Sequence, residues 1–331
     1  MNIAMVNISR RRAALPVMML AVLLTAAPAW PQQYPVKTVR IVAPFAPGGT
    51  ADTLGRIAAA KLTESLGQTF IVENRPGAGG LLGSELVSKS APDGYTLVVS
   101  GVASHAIAPA LSAKPPFDPV RDFTHIALFG GPPTVFAVHP SLPATDLKAF
   151  VALARSRPNE LSYGSPGNGT QGHLMAEVFM QRAKLDIVHV PYKGAAMAMV
   201  DIVAGHIHAI STTLTTASGQ IRAGRVRALA LSSDGRLPDY PGVPTFRELG
   251  YPDVVGTVWF ALSGPAGLPA DIVNRLNGEV RRILQLPDVR ERLRGDGIEP
   301  NQLDAKAVTD YMATEVKRWA PAVRASGARA D

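Results

Sequence analysis

The chain has 331 residues, a formal net charge of +7, 18% charged and 47% hydrophobic residues, and no cysteine. The absence of cysteine rules out disulfides, cysteine nucleophiles and thiolate metal sites together, so stability must come from core packing. The basic excess is mild and no stretch interleaves clustered Lys and Arg with aromatics, so nothing argues for a nucleic-acid partner.

Residues 1–29 read as a secretory signal peptide. Arg10, Arg11 and Arg12 precede an apolar run from Ala13 to about Ala27, and Ala27-Pro28-Ala29 supplies a small-residue cleavage pattern. The run is interrupted by Pro16 and falls short of the ~20 residues that a bilayer span takes. Removal near Ala29, a mature chain from about Trp30 and a periplasmic location are therefore expected. Ser9-Arg10-Arg11 also permits a twin-arginine route, which Ala13 and Ala14 match poorly. Loss of the three Arg takes the net charge to +4. No later segment is long and apolar enough to cross a membrane, and a chain above about 250 residues usually divides into two cores.

The remaining sequence alternates strands and helices. Val39 to Phe45 predicts a strand before a Pro-Gly-Gly turn, and Leu54, Ile57, Ala58, Leu62 and Leu66 recur at helical spacing until Gly67. Strands at Phe70–Val72 and Tyr95–Val99 around a helix at Leu81–Val87 complete a βαβαβ unit, the rhythm of a parallel sheet. A Pro-rich link, Lys114 to Pro119, precedes a second series. It has strands near Ala127 and at Val135–Val138, a helix over Asp146–Arg155, a short polar strand at Leu161–Gly164 and a helix over Thr170–Arg182. Strands at Ile187–Val190, Ile207–Ser211 and Val226–Leu231 follow. Two amphipathic helices close the chain, one marked by Ile272, Val273, Leu276, Val280, Ile283 and Leu284 after Pro269, the other by Val308, Tyr311, Met312, Val316, Trp319 and Val323.

Two glycine-rich turns lead from a strand into a helix. In Pro44-Phe45-Ala46-Pro47-Gly48-Gly49-Thr50-Ala51-Asp52, the glycines clear side chains from the backbone amides and Thr50 offers a hydroxyl. Unpaired N–H groups and a partial positive charge at a helix start suit an anion, and the carboxyl ends of strands are where open α/β sheets bind ligands. An ordinary tight turn capped by Thr50 or Asp52 is the alternative. The second turn, Tyr163-Gly164-Ser165-Pro166-Gly167-Asn168-Gly169-Thr170-Gln171-Gly172-His173, contains G-x-G-x-x-G. Its preceding strand is short and polar, and Asp186 begins the next strand where a ribose-binding acid should end one, so a dinucleotide is not expected. Two such turns in two lobes fit a ligand clamped between them.

Enzyme signatures are missing: no G-x-S-x-G, no phosphate loop ending in Gly-Lys-Ser/Thr and no H-E-x-x-H. A secreted hydrolase would have to use Ser165 and His173, which are eight apart with Pro166 between and no acid nearby. His206 and His208 lack further ligands and read as a turn-edge pair, so neither a metal nor a cofactor is expected.

At this point the sequence resembles the Bug-type extracytoplasmic solute receptors, the periplasmic binding component of tripartite tricarboxylate transporters. The likeness rests on Tyr34-Pro35, Pro47-Gly48-Gly49-x-x-Asp52, Glu73-Asn74-Arg75-Pro76-Gly77-Ala78-Gly79-Gly80, Pro92-Asp93-Gly94-Tyr95-Thr96-Leu97 and Ser104-His105-Ala106. It continues through Tyr163-Gly164-Ser165, Gly167-Asn168-Gly169, His173-Leu174, His189-Val190-Pro191-Tyr192-Lys193-Gly194 and Pro265-Ala266-Gly267. The resemblance implies an α/β, type II periplasmic-binding-protein fold of two lobes, each a central sheet flanked by helices, with the ligand cleft between them. Crossings are expected near Pro132 and Gly256, giving a discontinuous first lobe (34–131 and 257–331) around a second (132–256). It further implies a monomer that captures a small carboxylate for membrane permease subunits, or alternatively signals to a sensor kinase, with no chemistry performed. The residues implied at the ligand are Phe45, Pro47, Gly48, Gly49, Thr50 and Asp52, then Ser104 and His105, then Ser165, Asn168, Gly169, Thr170 and His173, and finally Thr212 and Thr213. In this picture Asp52 meets an ammonium or a bridging water. The chain departs from the family pattern in Ser211-Thr212-Thr213-Leu214-Thr215-Thr216, read as an extended row of hydroxyls, and in Met197 where proline is frequent.

Overall fold

The computed structural model describes Met1 and residues 34–325; the expected leader and its cleavage point near Ala29 lie outside the described residues. Contacts divide the chain into Met1–Val36 and Lys37–Asp331, and both sheets belong to the second unit.

The chain opens with β1 (Val39–Ala43), α1 (Thr50–Leu66), β2 (Phe70–Asn74), α2 (Leu81–Ser88) and β3 (Thr96–Gly101). β1 pairs in parallel with β2 and with β3, as the βαβαβ rhythm predicts. Gly67 ends α1 in a left-handed conformation, φ 70°, and returns its N–H to Thr63 O. β3 runs into a wide π-type turn over Ala103–Ile107 and a short helix, α3 (Ala108–Leu111). β4 (Phe123–Gly130) then leads directly to β5 (Thr134–Val138).

From β5 the chain passes through α4 (Leu147–Ser156), β6 (Ser162–Ser165), α5 (Gln171–Ala183), β7 (Val188–Pro191) and α6 (Ala195–Val203). It continues through β8 (Ala209–Thr213), α7 (Leu214–Arg222) and β9 (Arg227–Leu231). Asp146 caps α4 by accepting from Ala149 N at 2.8 Å. Last come β10 (Phe260–Pro265), α8 (Ala270–Ile283), α9 (Pro287–Gly295) and α10 (Ala305–Ala325). The residue pattern predicts none of α3, α6, α7, α9 or β10.

Two five-stranded sheets result, ordered β2-β1-β3-β10-β4 and β7-β6-β8-β5-β9. In each, three parallel strands are followed by an antiparallel one, β10 in the first and β5 in the second. That antiparallel strand follows the chain's passage from the other sheet, so two crossing segments join the lobes. Each lobe has its own core. Phe136 packs edge-on against Phe150 and Phe179, which meets Phe246 in the second. In the first, Ile41, Leu97, Val99 and Leu262 are fully buried. The terminal helices bury the faces their spacing predicts: Ile272, Val273, Leu276, Val280 and Ile283 on α8, and Val308, Met312, Trp319 and Val323 on α10.

Candidate functional site

The parallel strands of both sheets send their carboxyl ends toward one cleft. β1 supplies Phe45, Gly49 and Thr50; β3 supplies Val102 and Ala103; β6 supplies Pro166, Thr170, Gln171 and Gly172. β7 leads to Ala195 and β8 to Thr213, while Val258 and Phe260 close the wall from the returning strand. This inner chamber spans about 500 Å³ of space free of protein atoms, part of it open to solvent. The starts of α1, α5, α6 and α7 all reach it. Among the described residues, none that lines it carries a charge, so the field inside comes from helix ends and hydroxyls. Such a field favours an anion.

The first loop is built around Asp52. Its Oδ2 accepts from Gly48 N at 3.0 Å and from Arg56 Nε at 2.9 Å, and its Oδ1 accepts from Asn74 Nδ2 at 3.0 Å. Asn74 Nδ2 also donates to Phe45 O at 3.0 Å. Burial pushes the Asp52 carboxyl up, but the Arg56, Gly48 and Asn74 hydrogen bonds and the Arg56 charge outweigh it and hold its pKa below the usual value. Gly48 sits at φ 85°, where only glycine is comfortable, and a Cβ there would lie 3.1 Å from Ala196 Cβ of the opposite lobe. Gly49, the N-cap of α1, has an ordinary extended conformation, φ −87°. Its conformation tolerates any side chain.

The second loop is held by short-range hydrogen bonds. Thr170 caps α5, accepting from His173 N and donating to Gly167 O at 2.7 Å, while Gly169 N donates to His173 Nδ1 at 3.3 Å. Ser165 Oγ pairs with His189 Nε2 at 2.7 Å, and the His189 and His173 rings stack with centroids 4.3 Å apart. Tyr163 OH donates to Glu177 Oε1, and burial together with that carboxylate raises the phenol pKa. The first loop meets the end of β8 across the cleft: Thr50 Oγ1 and Thr213 Oγ1 share a hydrogen bond of 2.8 Å. The lobes are closed on one another.

Over residues 54–328 the sequence matches the family described as tripartite tricarboxylate transporter family receptor. The chain belongs to that family. BugT of Bordetella pertussis is 37% identical over 306 residues, covering 92% of this chain and 94% of that protein. A Rhodopseudomonas palustris protein solved with adipate superposes with a TM-score of 0.86 at 33% identity, covering 89% of this chain and 99% of that one. MatC of the same organism, solved with bound malate, gives 0.81 at 33% identity over 88% and 100% of the two chains.

Of the residues implied at the ligand, the receptor brings Phe45, Gly49, Thr50, Thr170 and Thr213 to the inner chamber and Asn168 to an adjoining outer one. Asp52, Ser165, Gly169 and His173 are buried behind those surfaces and Pro47 and Gly48 are exposed to solvent; none of the six lines either chamber. His105 is fully buried between Phe117, Phe123 and His125, with Ser104 Oγ on its Nδ1 at 3.0 Å. Burial first, and the neighbouring His125 second, hold its pKa far below the ordinary value. Thr212 lies fully buried in β8.

The hydroxyl row of Ser211 to Thr216 is not extended throughout. It ends as a strand at Thr213, and Leu214 begins α7, since Leu214, Ala217 and Ser218 turn onto one buried face. Ser165 is paired with His189 rather than His173 and is fully buried, so no exposed nucleophile faces the cleft from it. His206 lies in the turn before β8 near Asp201, and His208 Nδ1 meets Ser162. The inner chamber also uses residues not expected there, among them Ala195, Gln171 and Phe260. For Ala195 a signal existed: Ala195, Ala198, Met199 and Ile202 follow the spacing of one helix face.

Proposed function

We propose that this receptor captures a small organic carboxylate in the inner chamber and delivers it to the membrane permease of a tripartite tricarboxylate transporter. One observation carries the reading: four helix starts, one from the first lobe and three from the second, converge on a chamber whose walls hold hydroxyls and apolar groups but no charge. The first carboxylate sits where Gly49, Thr50, Thr170 and Thr213 meet, held by amides and hydroxyls. Gln171 is buried, donates its Nε2 to Gly256 O at 3.1 Å, and keeps an Oε1 with no partner among the described residues. That oxygen is an acceptor for a ligand hydroxyl or a bridging water.

The malate- and adipate-bound relatives support a carboxylate as the ligand class. Membership of the receptor family supports a periplasmic location; a leader removed near Ala29 and a monomer as the working form complete the proposal. The lobes are read as 34–131 with 257–331 and as 132–256, moving about segments near Pro132 and Gly256. Asp52, by this reading, holds the first loop in shape and does not recruit an amine. Isothermal titration against C3 to C8 mono- and dicarboxylates should give at least one tight acid recovered chemically unchanged. A flat panel, or turnover of the bound acid, would refute the proposal.

A further inference from the structure

A second chamber adjoins the first, and Phe45 and Pro166 line both. Its walls come from opposite lobes: Gly77 to Leu81 with the α3 segment on one side, and the Pro166–Asn168 turn with Pro191 to Lys193 on the other. It is the larger of the two, about 1060 Å³ free of protein atoms. Among the described residues, Lys193 is the only charged one lining either chamber. It is exposed, and among the described residues no carboxylate lies within ion-pair distance of its ammonium.

The position of Lys193 is fixed although its head is free. Tyr192 N donates to Ser165 O at 3.1 Å and Tyr192 OH to Asp201 Oδ2 at 2.6 Å. On its other side Gly194 comes so near the first loop that a Cβ would lie 2.9 Å from Ala46 Cβ. Two residues further on, Ala195 lines the inner chamber. One short stretch therefore serves both spaces, Lys193 the outer and Ala195 the inner. Gly80 packs directly on the shared wall, since a Cβ there would lie 3.0 Å from Phe45 Cζ.

We propose that the outer chamber is a second anion subsite, which takes the distal carboxylate of an extended diacid, with Lys193 as its cation. This rests on reading the inner chamber as the site of the first carboxylate. The chemistry sets a length requirement. A short diacid held wholly in the inner chamber would bring two negative charges into walls that offer no cation, and the second would be desolvated without compensation. A longer chain passing Phe45 and Pro166 places that second charge beside an ammonium with free donors.

The experiment is calorimetric titration of succinate, adipate and suberate, each beside its monomethyl ester, into the wild-type protein and into Lys193→Gln and Lys193→Arg, with circular dichroism confirming the fold. The expected result is a preference for diacid over half-ester that rises with chain length. For suberate it should fall about tenfold in Lys193→Gln, the scale of one charge-assisted contact, and survive in Lys193→Arg. A preference that is absent at every length, or that Lys193→Gln leaves intact, overturns the outer subsite while half-ester binding keeps the inner one. If neither diacids nor half-esters bind, the inner reading fails and takes this one with it.

Discussion

Acidification from pH 7 to pH 5 should destabilise the receptor through a buried histidine pair behind the cleft. His125 is 1% exposed; its Nε2 lies 3.1 Å from Pro119 O and its Nδ1 2.9 Å from Ser263 Oγ. A carbonyl can only accept, so Nε2 carries the proton and Nδ1 receives the Ser263 hydroxyl. Burial lowers its pKa from 6.5 to about 4, against a smaller upward pull from the Pro119 carbonyl. The unfolded chain takes up a proton near pH 6.5 that the folded chain refuses until about pH 4, so stability falls with pH across that window. For His125 alone this is about 2 kcal/mol between pH 7 and pH 5, approaching about 3 kcal/mol below pH 4. His105, lowered further by burial and by His125, acts with the same sign. Asp52 does not blur the window, because its lowered pKa gives stability lost only below its ordinary value of 3.8. Urea unfolding at both pH values measures the difference, and His125→Gln, though less stable overall, should flatten the slope by about 2 kcal/mol. Equal stability at pH 7 and pH 5, or an NMR titration in which folded His125 protonates near pH 6.5, would refute the reasoning.

Four further outcomes follow from the cleft. Gly49→Val should fold with stability within about 1 kcal/mol of wild type, because φ is ordinary and the nearest atom to a new Cβ is Ala46 O at 3.9 Å. Carboxylate affinity should nevertheless fall about a hundredfold by calorimetry as the branched side chain enters the chamber. Gly48→Val should behave differently, losing more than about 1 kcal/mol in urea unfolding, since φ 85° and Ala196 both oppose a side chain. Thr213→Val removes the Thr50 hydrogen bond across the cleft while keeping volume; affinity should drop about fivefold, matching about 1 kcal/mol, and solution scattering without ligand should show a more open molecule. Asp52→Asn should weaken acid binding several-fold through the loop it holds, without changing the order of preference among acids.

Local signals carried much of the fold. Pro47-Gly48-Gly49 before an apolar row at helical spacing, closed by Gly67, is a pattern with a mechanism at each end, and α1 follows it. α6 was harder to see because Ala-Ala-Met-Ala-Met-Val-Asp-Ile-Val is apolar almost throughout, which leaves little contrast between buried and exposed faces. Threonine-rich Thr212 to Thr216 has the β-branched composition of a strand, yet tertiary burial of Leu214 and Ala217 bends it into α7. Ser104 and His105 show the limit of motif reading: their place in a recognisable stretch does not tell a ligand contact from a buried support. The cleft itself is long-range. Thr50 and Thr213 lie 163 positions apart in sequence and meet only because the chain between them builds most of both sheets.

The division of the chamber between lobes gives its neutrality a consequence. α1 reaches it from the first lobe, and α5, α6 and α7 reach it from the second. Opening the cleft must part Thr50 from Thr213 and draw Ala46 off Gly194, leaving each half with only part of the donor set. An arginine on either wall would attract an anion even in that open form, because a full charge acts over a longer range than a helix end. Helix ends and hydroxyls lose their hold within a few ångströms, so a carboxylate gains most of its binding energy only once both halves surround it. A ligand shifts a two-state equilibrium by no more than its differential affinity for the two states. Confining the lone cation to the outer chamber, at Lys193, keeps that difference large at the inner one and makes closure the report that the site is filled.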